Sequence, residues 1–277
     1  MEISNITRRR INEYLSQGKR FDGRNLLEYR PISIDLGISK NADGSARVRI
    51  GKTEVFVGVK MSVAAPYPDS AEAGVFMVTT ELSPLASERY ELGPPGIESI
   101  EMARLVDRGL RESGFIEFEK LCIKKGEKVW CVFLDIYPMN DDGNVLDAAC
   151  IASIAALQDT RIPEYDQEND KVNFGHWTDK RLPLTEHMPL TMTFHKIGKT
   201  IILDPSTEEG EASEARLTIA ISPRDKKPYI NAMQKGNEKE LTQQETFDTL
   251  DTAGKVWQKL YPEILEKIDG ARKKRGK

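Results

Sequence analysis

The chain has 277 residues, 39% apolar, 30% charged and 7% aromatic, which is too apolar for a disordered chain and long enough for one large domain or two intimate halves. Its 40 basic and 44 acidic side chains give a formal net charge of -4, so no global positive field draws it onto nucleic acid and any such contact must be local. The longest apolar run, Ala148 to Leu157, falls short of the ~20 residues that span a membrane, and the charged N-terminus lacks the apolar stretch of a signal peptide. The expectation is therefore a cytoplasmic protein with no membrane partner. Cys122, Cys131 and Cys150 show no CxxC spacing and read as buried thiols in a reducing compartment. His176, His187 and His195 have no ligand spacing with them, so neither a metal site nor a cofactor is expected.

In chain order, Ile3, Ile6, Ile11, Tyr14 and Leu15 fall at near-helical spacing before Gly18 and predict a docking helix, with Arg8, Arg9 and Arg10 as a short basic run. Strand-like runs follow at Ile32 to Leu36, Ala46 to Ile50, Glu54 to Val63 and Val75 to Leu82, broken by turn signals such as Asp43-Gly44 and Gly51-Lys52. Together they predict a meander of antiparallel strands. After the breaker Gly93-Pro94-Pro95-Gly96, Glu98 to Ser113 reads as a helix with Ile100, Ala103, Val106 and Leu110 on one stripe and Arg104, Arg108 and Arg111 on another. A strand from Val129 to Met139 leads into a helix rich in alanine, whose small side chains permit close approach to a sheet and place it centrally. The polar stretch Gln158 to Lys180 has no sustained periodicity and reads as a linker. Strands at Leu190 to His195, Thr200 to Leu203, Ala215 to Ser222 and Tyr229 to Met233 come next. A long helix opens on the capping box Thr242 with Glu245; Pro262 should bend or shorten it, and Arg272 to Lys277 reads as a solvated disordered end. The implied organisation is a first half over 1–160 with the docking helix, a linker over 161–187, and a second half over 188–277 with the long helix and basic tail.

Two constellations bear on chemistry. At a 1.5 Å rise, Arg104 and Arg108 lie about 6 Å apart along one helix face, a spacing at which two guanidinium forks can grip phosphates of one strand. The competing reading is a wet surface of intrahelical pairs, since Glu101 precedes Arg104 by three, Asp107 precedes Arg111 by four and Arg108 precedes Glu112 by four. The other constellation is the helix start at Asp142, Gly143 and Asn144, where a glycine turn would suit an anion. Acid already stands there: Asp141, Asp142 and Asp147 should complement the helix end and repel phosphate, with Asn144 as N-cap. Thr185-Glu186-His187 offers a single acid, too little for phosphoryl chemistry, and Asp204 sits in a turn with Pro205 and reads as structural.

Several motifs together resemble the RNase PH-like proteins: Arg20-Phe21-Asp22-Gly23-Arg24, Ala42-Asp43-Gly44-Ser45-Ala46, Gly51-Lys52-Thr53-Glu54-Val55, Glu81-Leu82-Ser83-Pro84-Leu85-Ala86, Gly93-Pro94-Pro95, Ala103 to Arg108, and Leu203-Asp204-Pro205. In detail the chain is similar to the non-catalytic RNase PH-like ring subunits of the archaeal exosome. The resemblance implies an α+β fold of the ribosomal protein S5 domain 2-like type, two similar halves of mostly antiparallel sheet packed with helices. It also implies a heterohexameric ring, a trimer of heterodimers with a catalytic sister subunit, joined by RNA-binding cap subunits. Single-stranded RNA threads such a ring and is degraded from its 3′ end by phosphate. Active members carry Gly-Ser-Arg or Gly-Thr-Arg at the helix start and aspartates before the second-half strand, whereas this chain has Gly143-Asn144-Val145 and Thr185-Glu186-His187. The resemblance leaves no catalytic residue and assigns Arg104 and Arg108 to RNA phosphates; Arg111 matches less securely and reads as a partner of Asp107. Two rivals stay open: a phosphate-dependent 3′-exoribonuclease in its own right using Glu186 or Asp204, and a purely structural protein whose arginines never meet RNA.

Overall fold

The computed structural model describes residues 3–275. Helix α1 (Asn5–Ser16) is capped by the Ser4 hydroxyl, which accepts from the Thr7 N–H, and buries Ile11 and Leu15 against Ile197, Ile202 and Ala212. It is the docking helix that its spacing implies, and it docks on the second half of the chain. Strands β1 (Ile32–Leu36), β2 (Gly44–Ile50) and β3 (Thr53–Ala64) form the expected antiparallel meander. In β3 Val55, Val57, Val59 and Met61 alternate into the core, the period-2 signature of a half-buried strand. The fourth strand departs from the meander: β4 (Val75–Thr80) lies parallel to the later strand β6. Helix α2 (Ile97–Glu112) intervenes in the chain, and only a long crossover of this kind can return a strand in the same direction. The short β5 (Cys122–Lys124) and long β6 (Lys128–Asn140) complete a sheet ordered β1-β2-β3-β6-β4, with β5 beside β6.

Helix α3 (Val145–Asp159) is buried at every residue from Val145 to Leu157 and packs on β2, β3 and β9. Its alanines allow the approach: a Cβ on Gly44 of β2 would come within 2.5 Å of the Ala156 carbonyl. The segment read as a linker is instead an antiparallel hairpin, β7 (Arg161–Asp166) and β8 (Lys171–Arg181). Its register shifts at Pro163, and exposure on both faces explains why no hydrophobic alternation marks it. The second sheet holds β9 (Leu190–Ile197), β10 (Thr200–Leu203), β11 (Ala215–Arg224) and β12 (Lys227–Gly236) in the antiparallel order β10-β9-β11-β12, with the short α4 (Thr207–Ala212) between β10 and β11. Helix α5 (Gln243–Arg275) opens on the expected capping box, with Thr242 and Glu245 each accepting the other's N–H. It runs through Pro262 without ending there, so Arg272 to Arg275 form a last helical turn and not a disordered end; Gly276 and Lys277 lie outside the described residues.

The two halves are tied by buried ions. Arg20, 4% exposed, donates to Glu209 and to the Leu203 and Asp204 carbonyls. Asp204 is fully buried at φ +49° and accepts from Arg24 Nη1, the Arg30 backbone N–H, Arg30 Nε, Arg30 Nη2 and Asn144 Nδ2, each at 2.8 Å. Burial pushes this carboxyl up, and the hydrogen bonds and charge of Arg30 overcome that penalty and hold it below its ordinary range. Arg30 also reaches the Asp142 and Gly143 carbonyls, which joins the start of α3 to the same cluster. A second link is Asp147 on α3. It accepts from the Thr193 hydroxyl of β9 at 2.7 Å and from the Tyr29 hydroxyl at 2.7 Å. Here burial dominates and raises the carboxyl from 3.8 to about 6.

Asp204→Ala should cost about 3–5 kcal/mol in denaturant unfolding, because it strands the buried Arg30 charge and the half-buried Arg24 charge. Asp147 has the opposite pH signature. The folded chain binds its proton more tightly than the unfolded chain, so its contribution is complete below about pH 4 and is lost as pH rises through about 6. Unfolding curves between those values should show a decline that Asp147→Asn removes.

Candidate nucleic-acid interface

Helix α2 lays Ala103, Leu105, Val106 and Leu110 on its buried side. Ile100, expected on that stripe, is 50% exposed beside Ile97 at 86%. Of the three intrahelical pairs the spacing allows, only one forms: Arg111 grips Asp107 at 2.8 Å, donates to the Phe76 carbonyl and lies over the rings of Phe76 and Phe118. That arginine is a packing element. Glu101 turns away from Arg104 and pairs with Arg216 at 2.5 Å, with Gln234 at 3.1 Å. Among the described residues Arg104 and Arg108 have no ion pair, and both are exposed. They share a groove of about 400 Å³ between α2 and the end of β4, whose other walls are Val78, Thr79, Thr80, Pro95, Ser99, Ile100, Ala103 and Asp107. Two free guanidinium groups on successive turns of one helix, over a groove with an apolar floor, can hold two phosphates of an extended strand.

The start of α3 opens on a different cleft of about 320 Å³, lined by α2, the start of α3, α4 and strands β9 and β11. Gly143 is required there: its φ is +90° and a Cβ would strike the Pro205 carbonyl at 2.4 Å. Its N–H, which an anion would need, already donates to Asp141 Oδ1 at 2.9 Å. Asp141 Oδ2 in turn takes Arg89 Nη2 and the Tyr90 hydroxyl, each at 2.7 Å. Burial, then the Asp141 charge, raises the Tyr90 phenol, leaving it a donor at neutral pH. Asn144 occupies the N-cap position at φ +54° but makes no capping bond; its Nδ2 reaches Asp147 and Asp204, and its Oδ1 is buried without a partner. Asp147, expected to shield the helix end, is turned into the core. His195 accepts or donates at Ser213 Oγ, 3.0 Å away, and burial with the Arg216 charge lowers it to about 3, so it is neutral. Glu98, Glu101 and Asp141 outnumber Arg89 and Arg216 around the cleft.

The remaining candidates lie elsewhere. Glu186 is exposed, Thr185 Oγ1 donates to the Gly114 carbonyl and His187 Nδ1 meets the Pro223 carbonyl at 2.9 Å. These residues brace the end of α2 against β11 and line neither cleft. Asp204 is fully occupied by its donors. Sequence reasoning did not find Arg89, Tyr90 or Arg216, whose partners Asp141 and Glu101 stand 51 to 115 residues away in the chain with no local signal linking them.

The sequence profile of the 3′ exoribonuclease family, domain 1, matches residues 28–163, and that of domain 2 matches residues 187–256. Exosome complex component Rrp42 of Methanothermobacter thermautotrophicus is 42% identical over 267 residues, 96% of each chain. Its counterpart of the same name in Methanocella arvoryzae is 45% identical over 240 residues, 87% of this chain and 88% of that one. Among solved structures, a chain of the Archaeoglobus fulgidus exosome with RNA bound to the active site superposes with a TM-score of 0.78 at 39% identity, covering 98% of this chain and 97% of that one. A chain of an archaeal exosome core gives 0.80 at 37%, covering 94% and 96%. With both domain profiles matched and such relatives aligned nearly end to end, the chain belongs to the RNase PH family of 3′ exoribonucleases.

Proposed function

We propose that this chain is a non-catalytic core subunit of an exosome ring, and that Arg104 and Arg108 hold phosphates of the RNA strand while a catalytic RNase PH-like sister carries out phosphorolysis. The observation that carries the reading is an asymmetry within one molecule. The groove under α2 keeps two arginines free of carboxylates, while the N–H at Gly143 is spent on Asp141 and the surrounding cleft is acidic. The relatives named as exosome components and the RNA-bound exosome neighbour support the assembly and its substrate class. Exposed apolar side chains on α2 and the segment leading into it, Leu92 at 85%, Ile97 at 86% and Ile100 at 50%, support a partner covering this part of the chain. The ring would be a trimer of heterodimers, with RNA-binding cap subunits feeding single-stranded RNA.

In this scheme the guanidinium forks fix the position of the sugar-phosphate backbone and read no bases, so sequence preference is slight. Holding the strand still delivers its 3′ end to the partner's phosphate in a near-attack geometry, the contribution to rate that a binding subunit can make without a reacting group of its own. The rival enzyme reading draws no support from Asp204, which is enclosed by Arg24, Arg30 and Asn144.

In a ring reconstituted with its catalytic partner, Arg104→Ala with Arg108→Ala should weaken RNA binding by about tenfold or more and flatten the salt dependence of log K by roughly 1.4, the share of two single-strand phosphates. Unchanged affinity and decay would show that the arginines do not grip RNA. Phosphorolysis measured for the chain alone, the partner alone and the two mixed should show no RNA shortening by the chain and synergy in the mixture. Shortening by the purified chain would establish the rival.

A further inference from the structure

The C-terminal end of α3 gathers three arginines from three elements. Arg181 of β8 donates through Nη1 to the Gln158 carbonyl at 3.2 Å, and Arg272 of α5 donates through Nη2 to Gln158 Oε1 at 2.9 Å. Arg161, the first residue of β7, stands directly across the hairpin from Arg181. All three are exposed. Like charges placed opposite each other in a strand pair oppose folding, and Arg161 and Arg272 each lower the readiness of Arg181 to hold its proton, after burial itself.

The nearby carboxylates discharge the cluster only in part. Asp159 is 4% exposed, is gripped by Arg275 and accepts the Ser45 N–H. Asp269 meets Arg272 at 3.2 Å on the solvent side. Neither Arg161 nor Arg181 has an ion pair among the described residues. The same turn of α5 adds Lys273 and Lys274, both exposed. The same hairpin presents aromatic faces to solvent. Trp177 has its indole N–H on Asp43 at 2.9 Å and its ring partly open, and Phe174 is 57% exposed with the Lys60 ammonium 4.7 Å from its centroid. Guanidinium forks on the same hairpin as exposed rings are the parts of a single-strand platform, phosphates on the cations and bases on the aromatics. An acidic protein partner would engage the arginines but leave Trp177 and Phe174 without purpose.

We infer that Arg161, Arg181 and Arg272, with the rings of the β7–β8 hairpin, form a second single-stranded RNA contact on this chain. It uses none of the elements that carry Arg104 and Arg108, so it extends the proposed function without depending on that groove. Anisotropy of a fluorescein-labelled oligouridylate, titrated with potassium chloride against the full-length chain, tests it. The triple variant Arg161→Gln, Arg181→Gln, Arg272→Gln should lower the salt slope of log K by roughly 2, the share of three single-strand phosphates. Replacement of all three by lysine should restore most of that slope, and Trp177→Ala should weaken binding without changing it. Should loss of the Gln158 carbonyl contact unfold the triple variant in a melting curve, the pair Arg161→Gln with Arg272→Gln leaves that contact intact and should lower the slope by roughly 1.4. A folded variant with an unchanged slope overturns the inference, as does a loss seen toward poly-glutamate and not toward RNA. A slope lost in Arg104→Ala with Arg108→Ala and kept in the triple variant assigns RNA to the groove alone; the reverse pattern removes the groove and leaves the hairpin site.

Discussion

One carboxylate, that of Asp204, organises the molecule. It has no contact with solvent, and it survives as an ion because Arg24, Arg30 and Asn144 converge on it from the N-terminal segment and the start of α3. An isolated buried charge would cost several kcal/mol, so the arrangement is stable only when every donor is in place. That condition couples three remote pieces of chain: the loop after α1, the turn at Asp142 and Gly143, and the end of β10. The capping box of Ser206 with Glu209 secures the α4 side, and Arg20 on Glu209 repeats the tie a few residues along. The two sheets and α3 between them therefore assemble as a unit around an ionic centre, with the hydrophobic packing arranged about it.

The same economy of charge separates the two clefts. Glu101, which could neutralise Arg104 along the helix, is drawn across to Arg216 on β11, and Asp107 is taken by Arg111. The long-range pair leaves Arg104 bare, and the packing of Arg111 on Phe76 and Phe118 fixes the far end of the helix. At the α3 start the reverse occurs. Arg89 is consumed by Asp141, and that carboxylate also takes the N–H of Gly143 in the glycine turn. Cationic capacity is thus kept on α2 and consumed at the start of α3.

Much of the fold could be read from the residues because periodicity reports burial. The alternation in β3, the alanine-rich α3 and the capping box of α5 each state their environment locally. The failures share a cause, which is contact between distant segments. The parallel placement of β4 follows from a crossover that no window contains, and the β7–β8 hairpin is exposed on both faces and so carries no alternation. Ile100 broke its stripe because the surface it faces is not filled by this chain. The α2 arginines were visible as a pattern, but their freedom from carboxylates was not, since spacing alone cannot tell whether Glu101 turns toward Arg104 or toward Arg216, 115 residues on.

The Arg30 to Asp204 contact spans 174 residues, and this separation has a consequence for how the protein is made. At about 5–20 residues per second of synthesis, the arginines leave the ribosome on the order of ten to thirty-five seconds before the carboxylate that accepts them exists. Helix α3 is complete only at Asp159, so over the last part of that interval it has nothing to complete its far side, and the nascent first half must persist with its alanine face uncovered. Closure of the ionic centre is a late, long-loop event, so the newborn chain is most vulnerable to aggregation in the window just before its second sheet emerges.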